Sequence, residues 1–335
     1  MASELNPQPV GRAEPPTHVA PPVPANVRAI LRVGNEFFLR SIDSMAGLAG
    51  DDLIKALIYG AMWTANVKHI TNSPANAQYS AIDEIPPDDL RMPVSVMALS
   101  NTLRIPYETV RRYVHTLMNE GACLRVGRRG FIVPAAVHAR QAQREAIREN
   151  YPSLLRFLAD LKRAGFDFAP YHRRLPQTKA LPASGEMPTN ARAILRVMME
   201  LVMHGIDVLG SMHNDDFLLA LIFTAIWTSN VHHITSTADN LRYGALHELP
   251  PDELRRPVTV HAVANSLRIP YETVRRYANR MVKDGSAVRI GGRGLIVPRE
   301  RLAVDAGFDS VRNAYIHIER TIAGLHRAGF DFSGY

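Results

Sequence analysis

A chain of 335 residues exceeds what one compact core of ordinary size needs and points to two domains, while a hydrophobic share of 46% excludes a wholly disordered protein. The formal net charge of +7 favours polyanionic partners without separating nucleic acid from an acidic membrane surface. Cys123 is the single cysteine, which excludes an intramolecular disulfide framework and a cysteine-based zinc cluster and fits a reducing cytoplasm.

In chain order, residues 1–25 are rich in proline and carry neither the apolar stretch of a signal peptide nor a basic amphipathic targeting pattern, so a disordered tail is expected there. Ile30, Leu31, Phe37, Phe38 and Ile42 then recur at helical spacing. A second helix follows Asp51-Asp52, residues suited to an N-cap and first turn. From Leu53 to Ile70 it is apolar on nearly every face, which predicts a buried spine.

Pro86-Pro87 and Pro93 forbid regular helix until Val94. Val94-Ser95-Val96 reads as a short strand or the start of a helix, Met97 to Leu103 as a helix and Arg104-Ile105-Pro106 as a tight turn. The next helix runs from Tyr107 to about Glu120, with Val110, Val114 and Leu117 as its core stripe and Gly121 as its stop. Leu124 to Val126 and Phe131 to Val133, joined through Gly127-Arg128-Arg129-Gly130, read as a β-hairpin. Val137 to Ala164 returns to helical periodicity, with Gly165 as cap and Phe166 and Phe168 expected to dock back.

The chain is then written again. Leu103 to Tyr113 reads LRIPYETVRRY, and the same eleven residues recur 164 positions later from Leu267 to Tyr277. That offset also relates Ala29-Ile30-Leu31-Arg32 to Ala193-Ile194-Leu195-Arg196, Trp63-Thr64 to Trp227-Thr228, and Ala164 to Phe168 with Ala328 to Phe332. The expected organisation is one domain over residues 26–168, a linker over 169–190 and a second domain over 191–335. The apolar stretch from Phe217 is interrupted by Thr224, Thr228, Ser229, Asn230 and two histidines, and is read as too polar for a membrane span.

Thr109-Val110-Arg111-Arg112, followed by Val114, Leu117 and Gly121, resembles the recognition helix of winged helix-turn-helix transcription factors and is most similar to the GntR-type and MarR-type modules. The resemblance covers Pro93 to Pro134 and its copy; the flanking helices match no effector domain. It implies a mainly α fold with small β-wings, in two tandem winged helix-turn-helix units with extra flanking helices, and binding to double-stranded DNA. A bacterial, cytoplasmic, nucleoid-associated transcriptional regulator is the expectation.

The residue types fit a major-groove reader. With Val110, Val114 and Leu117 inward, Tyr107, Glu108, Arg111, Arg112 and His115 must face outward, as must Tyr271, Glu272, Arg275, Arg276 and Arg280 in the second copy. An arginine fork on guanine discriminates against a wrong base by roughly 1–3 kcal/mol. Thr109 and Thr273, near helix N-termini, suit phosphate oxygens. Arg125, Arg128 and Arg129 in one wing, and Arg289 and Arg293 in the other, add backbone contacts. From Arg104 to Arg129 six arginines face two glutamates, a net of +4, and from Arg268 to Arg293 seven basic residues face two acidic ones, a net of +5, so the rest of the +7 chain is net −2. The competing reading of each pair is a solvated helix face or a solubilising wing.

Thr64, Asn66, His69 and Thr71 match Thr228, Asn230, His233 and Thr235 on the spine. An interior hydrogen-bond network or a helix-end cap is preferred over an effector pocket. His232-His233 is weak as a metal pair, because adjacent helical residues diverge and Lys68 stands at the matching place. No P-loop, paired-histidine protease motif or dinucleotide fingerprint occurs, so neither catalysis, a cofactor nor a metal is expected. A replication or partition initiator and a winged-helix protein-interaction scaffold are the alternatives. A small-molecule effector and homodimers beyond the intrachain pair stay open.

Overall fold

The computed structural model describes residues 22–173, 187–212 and 216–335. Most of the tail expected over 1–25 and of the linker expected over 169–190 lies outside the described residues. The chain is mainly helical, with two small antiparallel sheets.

The first half contains α1 (Val27–Leu48), α2 (Leu53–Thr71), α3 (Ala75–Gln78), α4 (Val96–Leu103), α5 (Tyr107–Asn119), β1 (Leu124–Val126), β2 (Gly130–Ile132), α6 (Ala135–His138) and α7 (Gln141–Arg163). The second repeats this order as α8 (Ala191–Met212), α9 (Phe217–Thr235), α10 (Asp239–Arg242), β3 (Val258–Thr259), α11 (Val260–Leu267), α12 (Tyr271–Lys283), β4 (Val288–Ile290), β5 (Gly294–Ile296), α13 (Arg299–Leu302) and α14 (Asp305–Arg327). β3 has no named counterpart in the first half, where Val94 makes only a bridge to Phe131.

Local chemistry sets the boundaries. Asp52 accepts a hydrogen bond from the Lys55 N–H at 3.0 Å and Asp216 from that of Leu219 at 3.1 Å, capping the two spine helices. At the far end of α7, Gly165 (φ +80°) donates to the Lys162 carbonyl and Phe166 to that of Leu161, a Schellman turn that directs Phe166 and Phe168 into the core.

The continuous helix predicted over Val137 to Ala164 is broken. Arg140 adopts an extended backbone (ψ 145°), so α6 ends at His138 and α7 begins at Gln141. The break lets His138 turn inward against Trp63, at 5.4 Å between ring centroids, and lets the Arg140 guanidinium reach the Gly121 carbonyl at 3.0 Å. In the second half the corresponding long helix, α14, runs unbroken from Asp305 to Arg327.

The two copies build their cores jointly. α1 is buried on several faces: Ile30, Val33 and Phe37 join Phe157 and Leu161 with Ile194 and Ile322, whereas Phe38 and Ile42 join Leu57 and Met62 with Ile206 and Ile222. α1 packs on α9 and α14, and reciprocally α8 packs on α2 and α7. Residues 26–168 and 191–335 are recognisable as copies in element order, and each of the two large hydrophobic clusters draws residues from both, because a helix buried on that many sides needs walls from both halves. α9, with mean hydropathy 1.4 over an 18-residue window that is 72% buried inside the fold, passes a length-and-composition test for crossing a bilayer despite its polar residues; here it is the spine of the second copy.

Polar contacts cross the seam in matched pairs. Arg32 donates to the Asn240 side chain at 2.8 Å and to the Asn240 and Tyr243 carbonyls at 2.6 and 2.9 Å, while Arg196, 164 positions on, donates to the Asn76 side chain at 2.5 Å. Arg28 donates to the Leu246 carbonyl, and Arg192 to that of Ile82 at 3.1 Å. All four arginines are 3% exposed. Burial, reinforced by neighbouring guanidinium groups, lowers Arg28, Arg32 and Arg192 to about 10 and Arg196 to about 9, so each stays cationic at neutral pH. Their acceptors at α3 and α10 include main-chain carbonyls, of Asn76 and Asn240 within the short helices and of Tyr243 at the C-cap of α10. Arg104 meets Asp207 at 3.0 Å and Arg268 meets Asp43 at 2.6 Å, again reciprocally. Contacts of this form relate the halves by an approximate two-fold axis.

Candidate nucleic-acid interface

Each copy projects a helix, a turn, a second helix and a hairpin from its spine. Ser95 caps α4 by accepting from the Ala98 N–H at 3.1 Å, and Thr259 caps α11 by accepting from that of Ala262 at 3.2 Å. Arg104 (φ 54°) and Arg268 (φ 51°) take the left-handed conformation that ends these helices, an uncommon one for a residue with a side chain. Ser100 Oγ braces the turn by donating to the Ile105 carbonyl at 2.7 Å. Pro106 and Pro270 then lead into α5 and α12.

Asn66 and Asn230 fix the hairpins. Asn66 Nδ2 donates to the Met92 and Phe131 carbonyls at 2.8 and 3.1 Å, and its Oδ1 accepts from the Val133 N–H at 2.9 Å. Asn230 does the same with Arg256, Leu295 and Val297 at 2.8, 3.0 and 2.9 Å. Both are fully buried, so the interior-network reading holds for this pair. Thr64, Thr71 and Thr235 bond back to carbonyls of their own helices, while the Thr228 hydroxyl has no partner. Gly130 is required where β2 meets the approach to α4: its φ is +137°, and a Cβ there would lie 2.4 Å from the Val94 carbonyl oxygen.

Val110, Val114 and Leu117 are buried, as are Val274, Ala278 and Met281 at the matching positions. The opposite faces are open. Tyr107, Glu108, Arg111, Arg112 and His115 are exposed, as are Tyr271, Glu272, Arg275, Arg276 and Arg280, with Thr109 and Thr273 half-buried. Arg125, Arg128 and Arg129 on one hairpin, and Arg289 and Arg293 on the other, are exposed too.

The arginines differ in how they are held. Arg111 Nε lies 2.8 Å from Glu108 Oε2, and Arg275 Nη2 2.7 Å from Glu272 Oε2, so each guanidinium is oriented one helical turn from a carboxylate. Arg112 and Arg276 lie over the rings of Tyr113 and Tyr277, at 5.4 and 5.6 Å. Arg289 donates to Asn279 Oδ1 at 2.7 Å and links its hairpin to α12. Arg280 pairs with Asp216 at 2.8 Å, so it is committed to the cap of α9. The turn arginines Arg104 and Arg268, counted in the basic stretches, engage carboxylates across the seam. Nothing in the sequence around them signals this, since each partner lies in the other copy.

Cys123 is buried, and burial pushes its thiol up to about 11. His232 Nδ1 lies 2.8 Å from Glu36 of the first half, and among the described residues no three His, Cys, Asp or Glu side chains gather as a metal site.

Compared with protein-family models, curated proteins and solved structures, the chain matches none.

Proposed function

We propose that α4, α5 and the β1–β2 hairpin, with their copy α11, α12 and β4–β5, are winged helix-turn-helix modules, and that the chain is a sequence-specific double-stranded DNA-binding protein acting in transcriptional regulation. The observation that carries this reading is the pairing of two outward helix faces, bearing Arg111 and Arg275, within halves joined by reciprocal seam contacts. Basic hairpins without a single carboxylate flank both helices and suit phosphate contact. One chain thereby supplies what two protomers supply in a dimeric regulator.

Selection of bound sequences from a random DNA pool with the intact chain tests this: enrichment of a defined site is expected, and its absence counts against the proposal. Affinity measured against salt discriminates a protein-interaction scaffold. With about six phosphate contacts the slope of log K on log salt should lie near about −5, whereas a flat dependence favours the scaffold. The position of bound sites, at promoters or at a replication origin, separates a regulator from an initiator.

A further inference from the structure

Matching cavities lie beside the two spine helices, and they are unequal. The one in the first copy has a volume of about 480 Å³, its counterpart in the second about 120 Å³. The first is walled by α1, α2, α7 and, from across the seam, α8. Polar residues decorate it where the other is apolar or small: Tyr59, His138 and Asn150 stand where the second copy has Phe223, Leu302 and Ala314. The Tyr59 hydroxyl and His138 Nε2 are both buried with no hydrogen-bond partner. Such groups cost stability unless something satisfies them. The spine residues Thr64, Asn66, His69 and Thr71 do not line the cavity, so the sequence signal for a pocket pointed elsewhere.

We propose that this cavity binds a small carboxylic acid with an apolar body, its head group taken by Tyr59 and His138. The size suits a small-molecule ligand, and Phe37, Met45, Trp63 and Met198 supply an apolar wall. The head is anionic because the polar end is electropositive. Arg91 and Arg192 act on both Tyr59 and His138, each favouring the less protonated form of its neighbour, and Arg192 lines the cavity itself. Tyr59 offers an O–H donor, and His138 Nε2 a second donor in the matching tautomer. Leu117 and Glu120, at the end of α5, form part of the wall, so occupancy alters how α5 is held; this last step rests on reading α5 as a DNA reader.

Calorimetric titration of the full chain with decanoate, with decanol as an uncharged comparator, tests the site without DNA. The expected result is one decanoate per chain, with decanol about tenfold weaker or more. Tyr59→Phe with His138→Leu, the residues the second copy itself carries at 223 and 302, should weaken decanoate about tenfold and leave the thermal unfolding curve cooperative. No uptake of decanoate, equal binding of decanol, or undiminished binding by the folded double variant each overturns the site. If decanoate binds yet saturating decanoate changes DNA affinity by less than about twofold, only the coupling to α5 fails.

Discussion

Phe168 stacks on Phe332, its own counterpart 164 residues later, with ring centroids 5.5 Å apart and planes 23° from parallel. A residue that touches its own copy sits at the axis relating them, and the seam contacts obey the same rule in exchanged pairs. Arg104 reaches Asp207 as Arg268 reaches Asp43. The symmetry of an isologous dimer is thus built inside one chain.

A two-fold arrangement of α5 and α12 makes a statement about the DNA. Sites recovered by selection are expected to be inverted, imperfect palindromes, because the first seven residues of the two helices are identical while His115, Thr116 and Asn119 in the next turns are replaced by Asn279, Arg280 and Lys283. Direct repeats would contradict the geometry.

Arg111→Ala and Arg275→Ala are each expected to lower specific affinity by about tenfold at fixed salt, and the double variant by about a hundredfold. Non-specific DNA should be affected far less. Titration against selected and scrambled duplexes checks both, and an unaltered double variant would refute the assignment of these faces.

The shared core predicts one unfolding event. Helical and tryptophan signals should be lost together in urea, since Trp63 and Trp227 report on opposite halves, and two separated midpoints would argue for independent units. Asn240→Leu, which strips Arg32 of its side-chain acceptor, should cost about 3 kcal/mol. Asn66→Leu, which strips the Met92 carbonyl and the Val133 N–H of this partner and leaves the Phe131 carbonyl only its bond from the Val94 N–H, should cost about as much and loosen the first hairpin.

Acid should weaken the fold through His138. Burial first, then Arg91 and Arg192, holds its imidazole well below the usual histidine range. The unfolded chain therefore binds a proton that the folded chain does not as pH falls below about 6.5, and stability drops by up to about 1.4 kcal/mol per pH unit for that one group. His204, His233 and His317 are shifted in the same direction, mainly by burial. His138→Leu should flatten the slope of stability between pH 6.5 and 5 without abolishing it, as read from denaturant midpoints across that range; an unchanged slope would sink the assignment.

The local grammar was legible and the long-range partnership was not. Val110, Val114 and Leu117, the Arg104 turn and the Gly127 to Gly130 hairpin are specified by spacing and turn residues a few positions apart, and the structure has them there, except that the second strand starts one residue early, at Gly130, and ends at Ile132. Arg32 was visible as part of a repeated quartet, yet its acceptor Asn240 lies 208 positions away, and no periodicity announces that. The break at Arg140 was missed because both flanking segments are helical and the reason for it, His138 turning toward Trp63, is tertiary. The cavity was missed for a similar cause: Tyr59 and His138 belong to different helices and acquire meaning only beside Phe223 and Leu302.

The seam of buried arginines also bears on how such a chain can change over generations. In an assembly of two identical subunits, any substitution near the axis strikes both sides at once, so a mildly harmful novelty is doubled. Here Arg32 and Arg196 are encoded separately, and an alteration beside one leaves its twin intact. That independence gives one flank room to acquire a chamber such as that around Tyr59 while the other keeps the scaffold sound.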